Sequence, residues 1–283
     1  MIEEQKNLVE EKNKEVLDSI TYAKRLQDAI LPPLSEIKKS LPESFILYKP
    51  KDIVAGDFYW MQKKGDKIFI AAADCTGHGV PGAMVSVVCS NALNRTVKEF
   101  GITDPGKILD KTRELVLETF EKSEGNIQDG MDISLVSIAA SPNLSKGEAN
   151  KIPPLEGHRE AGYITVEWAG AYNPLWYIEN KELKELQPDK QPIGKHDNAK
   201  LFTTHTINLQ KGDTLYLFTD GYADQFGGPK GKKFKYKQLN EMVKQISTKS
   251  MAEQGEILDK EFMKWKAAME QTDDLCMVGI RIG

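Results

Sequence analysis

Asp57, Asp74, Asp220, Asp273 and Asp274 all stand where a strand pattern begins or ends, so their carboxylates could gather at a sheet rim. Asp57 opens the run Asp57-Phe58-Tyr59-Trp60-Met61, and Asp74 closes the apolar run 67–73. Between them Lys64-Gly65-Asp66 is a hairpin signature. Folding about that turn sets the start of one strand beside the end of its antiparallel neighbour, which brings Asp57 and Asp74 to one edge. Asp220 terminates Thr214-Leu215-Tyr216-Leu217-Phe218-Thr219, and Asp273-Asp274 precede the last apolar run, 275–282. If those two strands are antiparallel, their acids meet as well.

Clustered carboxylates repel and raise one another's pKa, so such a group is costly without cations. An all-oxygen donor set favours hard ions, Mg²⁺ or Mn²⁺, over zinc. Two such ions about 3.5–4 Å apart acidify a shared water and clamp a phosphoryl oxygen. Taken singly, each aspartate also reads as ordinary turn chemistry at a strand end. Their ordered combination is what points to a metal site.

The elements that must position these acids are legible from texture. Strands are expected at 133–140, 163–168, 175–178, 214–219 and 275–282, besides the first hairpin. One helix opens at Pro81 and carries Met84, Val87, Val88 and Leu93; a second is capped by Asp104-Pro105 and carries Ile108, Leu109, Leu115, Val116 and Phe120. Two more helical patterns lie between Tyr236 and Trp265. Residues 141–161 read as a loop between hairpin strands, and 227–233 as a mobile basic loop. Hairpins interleaved with helix pairs predict an α+β domain over 45–283.

Residues 1–40 form a separate, N-terminal unit. Ile2, Val9, Val16, Ala23 and Ile30 recur every seven residues, with Leu26 in the second apolar slot, until Pro32-Pro33 stops the helix. Gln5, Lys12 and Ser19 fill the earlier second slots and weaken the seam. The segment reads either as a solvated helix docked on the domain or as the tail of a coiled-coil signalling helix continuing from a longer protein.

Gly56-Asp57-Phe58-Tyr59-Trp60 is followed by Ala73-Asp74-Cys75-Thr76-Gly77-His78-Gly79-Val80-Pro81-Gly82-Ala83. Ala169-Gly170-Ala171-Tyr172-Asn173-Pro174, Gln191-Pro192-Ile193-Gly194, Phe218-Thr219-Asp220-Gly221 and Thr272-Asp273-Asp274-Leu275 come next. In that order the motifs resemble the bacterial SpoIIE-like branch of the PPM metal-dependent protein phosphatases. The resemblance implies an αββα sandwich of two antiparallel sheets flanked by helix pairs. It also implies hydrolysis of phosphoserine or phosphothreonine by in-line attack of a metal-bridging hydroxide, without a phosphoenzyme. Asp57 and Asp74 would contact a pair of Mn²⁺ or Mg²⁺ ions, Asp57 bridging. The Cys75 carbonyl would complete one shell, Asp220 and Asp273 would hold the second ion, and Asp132 would touch a third. The implied substrate is a phosphorylated signalling protein, such as an anti-sigma-antagonist-like domain.

The chain departs from the wider family at three places. His78 follows Asp74 by four residues rather than two, so a general-acid role does not transfer. Cys276 stands where a small hydroxyl residue is expected and reads as core packing. No arginine lies near Asp57, leaving Lys49, Lys51 or the metals alone to take the phosphate.

Composition narrows the alternatives. A formal net charge of −4 lacks the clustered positive excess of a nucleic-acid surface, which counts against a two-metal nuclease. The three cysteines contain no C-x-x-C pair, and no apolar run reaches the roughly 18–20 residues of a membrane span. A cytoplasmic protein is expected, with a possible homodimer through residues 1–31. The remaining rivals are a binding module that kept the fold and lost the chemistry, and a coiled-coil interaction protein that residues 1–31 would support.

Overall fold

The computed structural model describes residues 2–121, 129–139 and 163–283. The loop expected over 141–161 lies outside the described residues.

Two five-stranded antiparallel sheets form the centre. The first runs in the order β2 (Phe58–Lys64), β3 (Lys67–Cys75), β4 (Met131–Ala139), β5 (Tyr163–Ala171), β8 (His205–Gln210). The second runs β1 (Ser44–Lys49), β12 (Leu275–Arg281), β9 (Thr214–Phe218), β6 (Leu175–Glu179), β7 (Glu182–Leu186). Alternate side chains explain why the inner strands are apolar on both faces. Tyr59, Met61, Ile70 and Ala72 meet Leu215, Leu217, Val278 and Ile280 between the sheets. Phe58, Trp60, Phe69 and Ala71 face outward onto α3 (Gly79–Lys98) and α4 (Pro105–Glu121). Tyr216, Phe218 and Met277 face outward on the other side, onto α6 (Tyr236–Ile246) and α7 (Met251–Lys266). The result is the αββα sandwich the motifs imply, with three stacked apolar layers.

Ahead of it come α1 (Ile2–Asp28) and α2 (Leu34–Ser40). Ile37 of α2 and Leu41 are buried with the inter-sheet core, so α2 packs as part of the sandwich. Only α1 stands off, its residues 2–19 exposed throughout.

The basic stretch after Phe226 corrects the expectation of a mobile loop. It forms a small hairpin, β10 (Phe226–Gly227) with β11 (Lys232–Lys233), behind the short helix α5 (Gly221–Asp224). Lys233 pairs with Asp224 at 2.7 Å, and the Gly228 N–H donates to the Trp265 carbonyl at 2.8 Å.

Candidate metal centre and active site

Register brings the acids together. In the first sheet Phe58 pairs with Ala73 and Asp74 with Asp132, so Asp57, Asp74 and Asp132 share one rim. In the second, β9 and β12 pair Phe218 with Met277, which sets Asp220 just beyond the end of one strand and Asp273 just before the start of the other. Asp74, Asp132, Asp220 and Asp273 line one cleft of about 280 Å³, together with Cys75, Thr76 and His78. Asp57, only 2% exposed, is buried next to Asp74 and is not part of the cleft lining.

The electrostatics follow from that crowding. Burial, then the charge of Asp220, pushes the Asp74 carboxyl up to about 8, with Asp273 and Asp132 adding to the effect. Burial and Asp220 lift Asp132 to about 7; burial and Asp273 lift Asp220 to about 6. Asp57 is raised well above the ordinary carboxylate range by burial and by Asp74, with which it hydrogen-bonds. Carboxylates so placed resist being charged together near neutral pH, and compensating cations would favour their charged forms. The donors are oxygens around an open cleft, which fits hard divalent ions. Among the described residues, no group of three or more His, Cys, Asp and Glu side chains forms a ready-made metal cage. The acids instead line the cleft from two sheets.

The backbone under the acids is tightly held. A side chain on Gly56 would overlap the Gly77 carbonyl, and one on Gly82 would overlap the same oxygen. These two positions let the loop leading to Asp57, the loop after Asp74 and the first turn of α3 touch directly. Asp274 fastens the loop before β2 from the other side, accepting from the backbone N–H of Lys51 and of Gly56, each at 2.7 Å. Asp274 is thus a structural clamp beside Asp273.

Thr219 is a site residue that the sequence reading left without a role. Its hydroxyl donates to Asp57 Oδ2 at 2.6 Å, and the Cys276 N–H donates back to it at 2.9 Å. It therefore orients the buried Asp57 carboxylate from the opposite sheet. The available signal was a hydroxyl residue one step before a strand-terminal aspartate. Cys276 itself packs in the inter-sheet core, as read.

His78 sits at the mouth of the cleft, where Nδ1 pairs with Asp52 Oδ2 at 2.9 Å. Lys49 pairs with Asp259 at 2.8 Å, which commits it away from an incoming phosphate. Cys89 precedes Arg95 by six residues, the spacing of a thiolate phosphate loop. Both lie inside α3, with Cys89 fully buried and Arg95 paired to Glu99, so no nucleophile loop exists there.

An αββα sandwich with aspartates from both sheets around one cleft defines the PPM class of protein serine/threonine phosphatases. Residues 64–283 match the family model for Stage II sporulation protein E (SpoIIE). The chain belongs to that family. It is 26% identical over 210 residues to the phosphoserine phosphatase RsbU of Bacillus subtilis (strain 168), covering 74% of this chain. The match takes in 55% of RsbU, so the chain spans about half the length of that curated relative. Among solved structures it is similar to the SiaA-PP2C domain of Pseudomonas aeruginosa, with a TM-score of 0.80 and 28% identity over 96% of this chain and 99% of that one. The PP2C domain with a regulatory fragment of SpoIIE from Bacillus subtilis shares the fold at TM-score 0.62 and 17% identity, over 85% of this chain and 63% of that one.

Proposed function

We propose that this chain removes phosphate from phosphoserine or phosphothreonine on a signalling protein, using two Mn²⁺ or Mg²⁺ ions, with a weaker third site at Asp132. The observation that carries the reading is the convergence of Asp74, Asp132, Asp220 and Asp273 on one cleft, with Asp57 buried next to Asp74. Asp57, Asp74 and the Cys75 carbonyl would hold one ion, Asp57 reaching both, and Asp220 with Asp273 would hold the other. Such ions supply an acidified water and neutralise charge on the phosphoryl oxygens. The protein's own part is orientation. Thr219 fixes the Asp57 carboxylate, Asp274 fixes the loop that leads to it, and the burial of Asp57 strengthens the charge interactions around it.

A phosphorylated protein of the anti-sigma-antagonist type fits as substrate, a reading supported by the likeness to a phosphoserine phosphatase. The basic hairpin near Lys232 offers a face that could steer an acidic partner. Homodimerisation through residues 1–31 is supported by the exposed Val9, Val16 and Leu26 on α1. Movement of that helix would then regulate the cleft. Three free buried thiols agree with a reducing cytoplasm, and no helix among the described residues is long and apolar enough to cross a membrane.

Phosphate release from a phosphoserine peptide, followed with Mn²⁺ and with EDTA, tests the reading. Activity should require the metal and vanish in Asp74→Asn while the fold persists. Turnover surviving in that variant would exclude the assignment.

A further inference from the structure

The one buried residue of α1, among those described, is a glutamine: Gln27 is 3% exposed. Its carboxamide reads both backbone groups of Ala55. Nε2 donates to the Ala55 carbonyl at 2.6 Å, and Oε1 accepts from the Ala55 N–H at 3.0 Å. The second Nε2 hydrogen goes to Ser86 Oγ on α3 at 3.0 Å, and Ser86 in turn donates to the Ala83 carbonyl at 2.8 Å. Only a planar primary amide donates and accepts side by side in this way, so Asn or Gln is demanded, and only Gln has the length used here.

Ala55 is fully buried and stands two residues before Asp57. Its neighbour Gly56 is pinned by Asp274 on one side and lies against Gly82 and Gly77 on the other. A displacement of Gln27 therefore has no slack to absorb it. The Ala55 peptide, two residues before Asp57, and Ser86 of α3 are thus joined through this one amide.

We infer that Gln27 is a positioning residue for the metal centre, a hinge pin through which the docking of α1 sets the affinity of the cleft for divalent cations. The inference rests on the metal-dependent reading above and assigns its regulation to one side chain. With α1 docked, the amide holds Asp57 in register with Asp74. With α1 rotated or withdrawn, Ala55 loses both partners, and the backbone before Asp57 is left with the Asp274 anchor alone on that side.

Two measurements on the full chain test this. Calorimetric titration of Mn²⁺ into Gln27→Ala should show a dissociation constant raised about tenfold, the lower end of what losing an outer-shell partner costs. The phosphatase kcat at saturating Mn²⁺ should stay within about twofold of wild type, because excess metal restores the occupied site. Ser86→Ala, which spares the Ala55 contacts, should raise the constant by less, and Arg25→Ala on the exposed face should leave it unchanged. Independently of any metal, amide hydrogen exchange at Ala55 in EDTA should quicken at least about tenfold in Gln27→Ala. Gln27→Glu retains the acceptor for that N–H and should exchange more slowly than Gln27→Ala. Unchanged exchange at Ala55 would overturn the inference, as would unchanged Mn²⁺ affinity in a chain whose wild type binds the ion. Wild type failing to bind Mn²⁺ would remove the metal reading itself, while faster Ala55 exchange would still show the clamp.

Discussion

Two helices at opposite ends of the chain carry apolar residues in comparable numbers and use them differently. α7 buries Met251, Gln254, Leu258 and Phe262, one stripe at helical spacing, beneath a capping box in which Ser250 and Glu253 satisfy each other's backbone. α1 leaves Ile2, Leu8, Val9, Val16, Leu17, Tyr22 and Leu26 exposed and buries Gln27. Each helix also buries a glutamine. In α7, Gln254 accepts from the Tyr216 hydroxyl at 2.7 Å inside an apolar row that would hold the helix regardless. In α1, Gln27 is the attachment. The difference teaches that α7 is fixed by area and α1 by a few directional bonds, which is the cheaper arrangement to undo.

The comparison can be broken most forcefully at α7. Phe262→Ala should cost about 3–5 kcal/mol, the usual range for emptying a core aromatic site. At about 2–4 °C per kcal/mol for a domain of this size, thermal denaturation should fall by roughly 10 °C. A loss below about 1 kcal/mol would mean that α7 is not held by its buried stripe.

The rim of the sheets sits between these extremes, since its directional bonds serve a charged site. Thr219→Val should remove a hydrogen bond to a buried carboxylate and the acceptor for the Cys276 N–H, costing about 1.5–3 kcal/mol in the metal-loaded protein. Denaturant titration with Mn²⁺ present reads this directly, and an unchanged midpoint would deny Thr219 its orienting role.

The same rim has a pH signature. Asp74 and Asp132, raised to about 8 and about 7, keep protons that the unfolded chain releases near pH 4. The folded state thus binds more protons across that window, and stability in EDTA should fall as pH rises from about 4 to 8. Mn²⁺ should reverse the fall. A melting temperature in EDTA that climbs over this range would contradict the crowding of these acids.

The smallest effect on the fold is expected at α1. Val16→Ser should change stability by no more than about 0.5 kcal/mol, as befits an exposed position. Sedimentation velocity should nonetheless show a weakened dimer if the exposed stripe is covered by a second copy. An unaltered association state would leave that stripe without the proposed partner.

Much of this organisation could be read from residue order. Strands apolar on both faces, such as Phe58-Tyr59-Trp60-Met61, announce a layer between two others, and aspartates at their ends mark the rim. Edge strands were harder. Glu182–Leu186 and His205–Gln210 are polar or only alternately buried, so neither carries a strong apolar signal. The basic hairpin was hidden because its glycines suggest mobility, whereas Trp265 and Asp224 hold it from elsewhere in the chain. Gln27 was hidden for the opposite reason. Amid charged helix residues it reads as one more solvated side chain, and its partners Ala55 and Ser86 lie 28 and 59 residues away.

Calorimetric titration of Mn²⁺ into the wild-type chain, Asp74→Asn and Asp220→Asn tests the central claim most directly. The account predicts at least two ions per wild-type chain, with occupancy or affinity sharply reduced in each variant although their aspartates come from different sheets. Wild type binding no divalent cation, or both variants binding as it does, would contradict it.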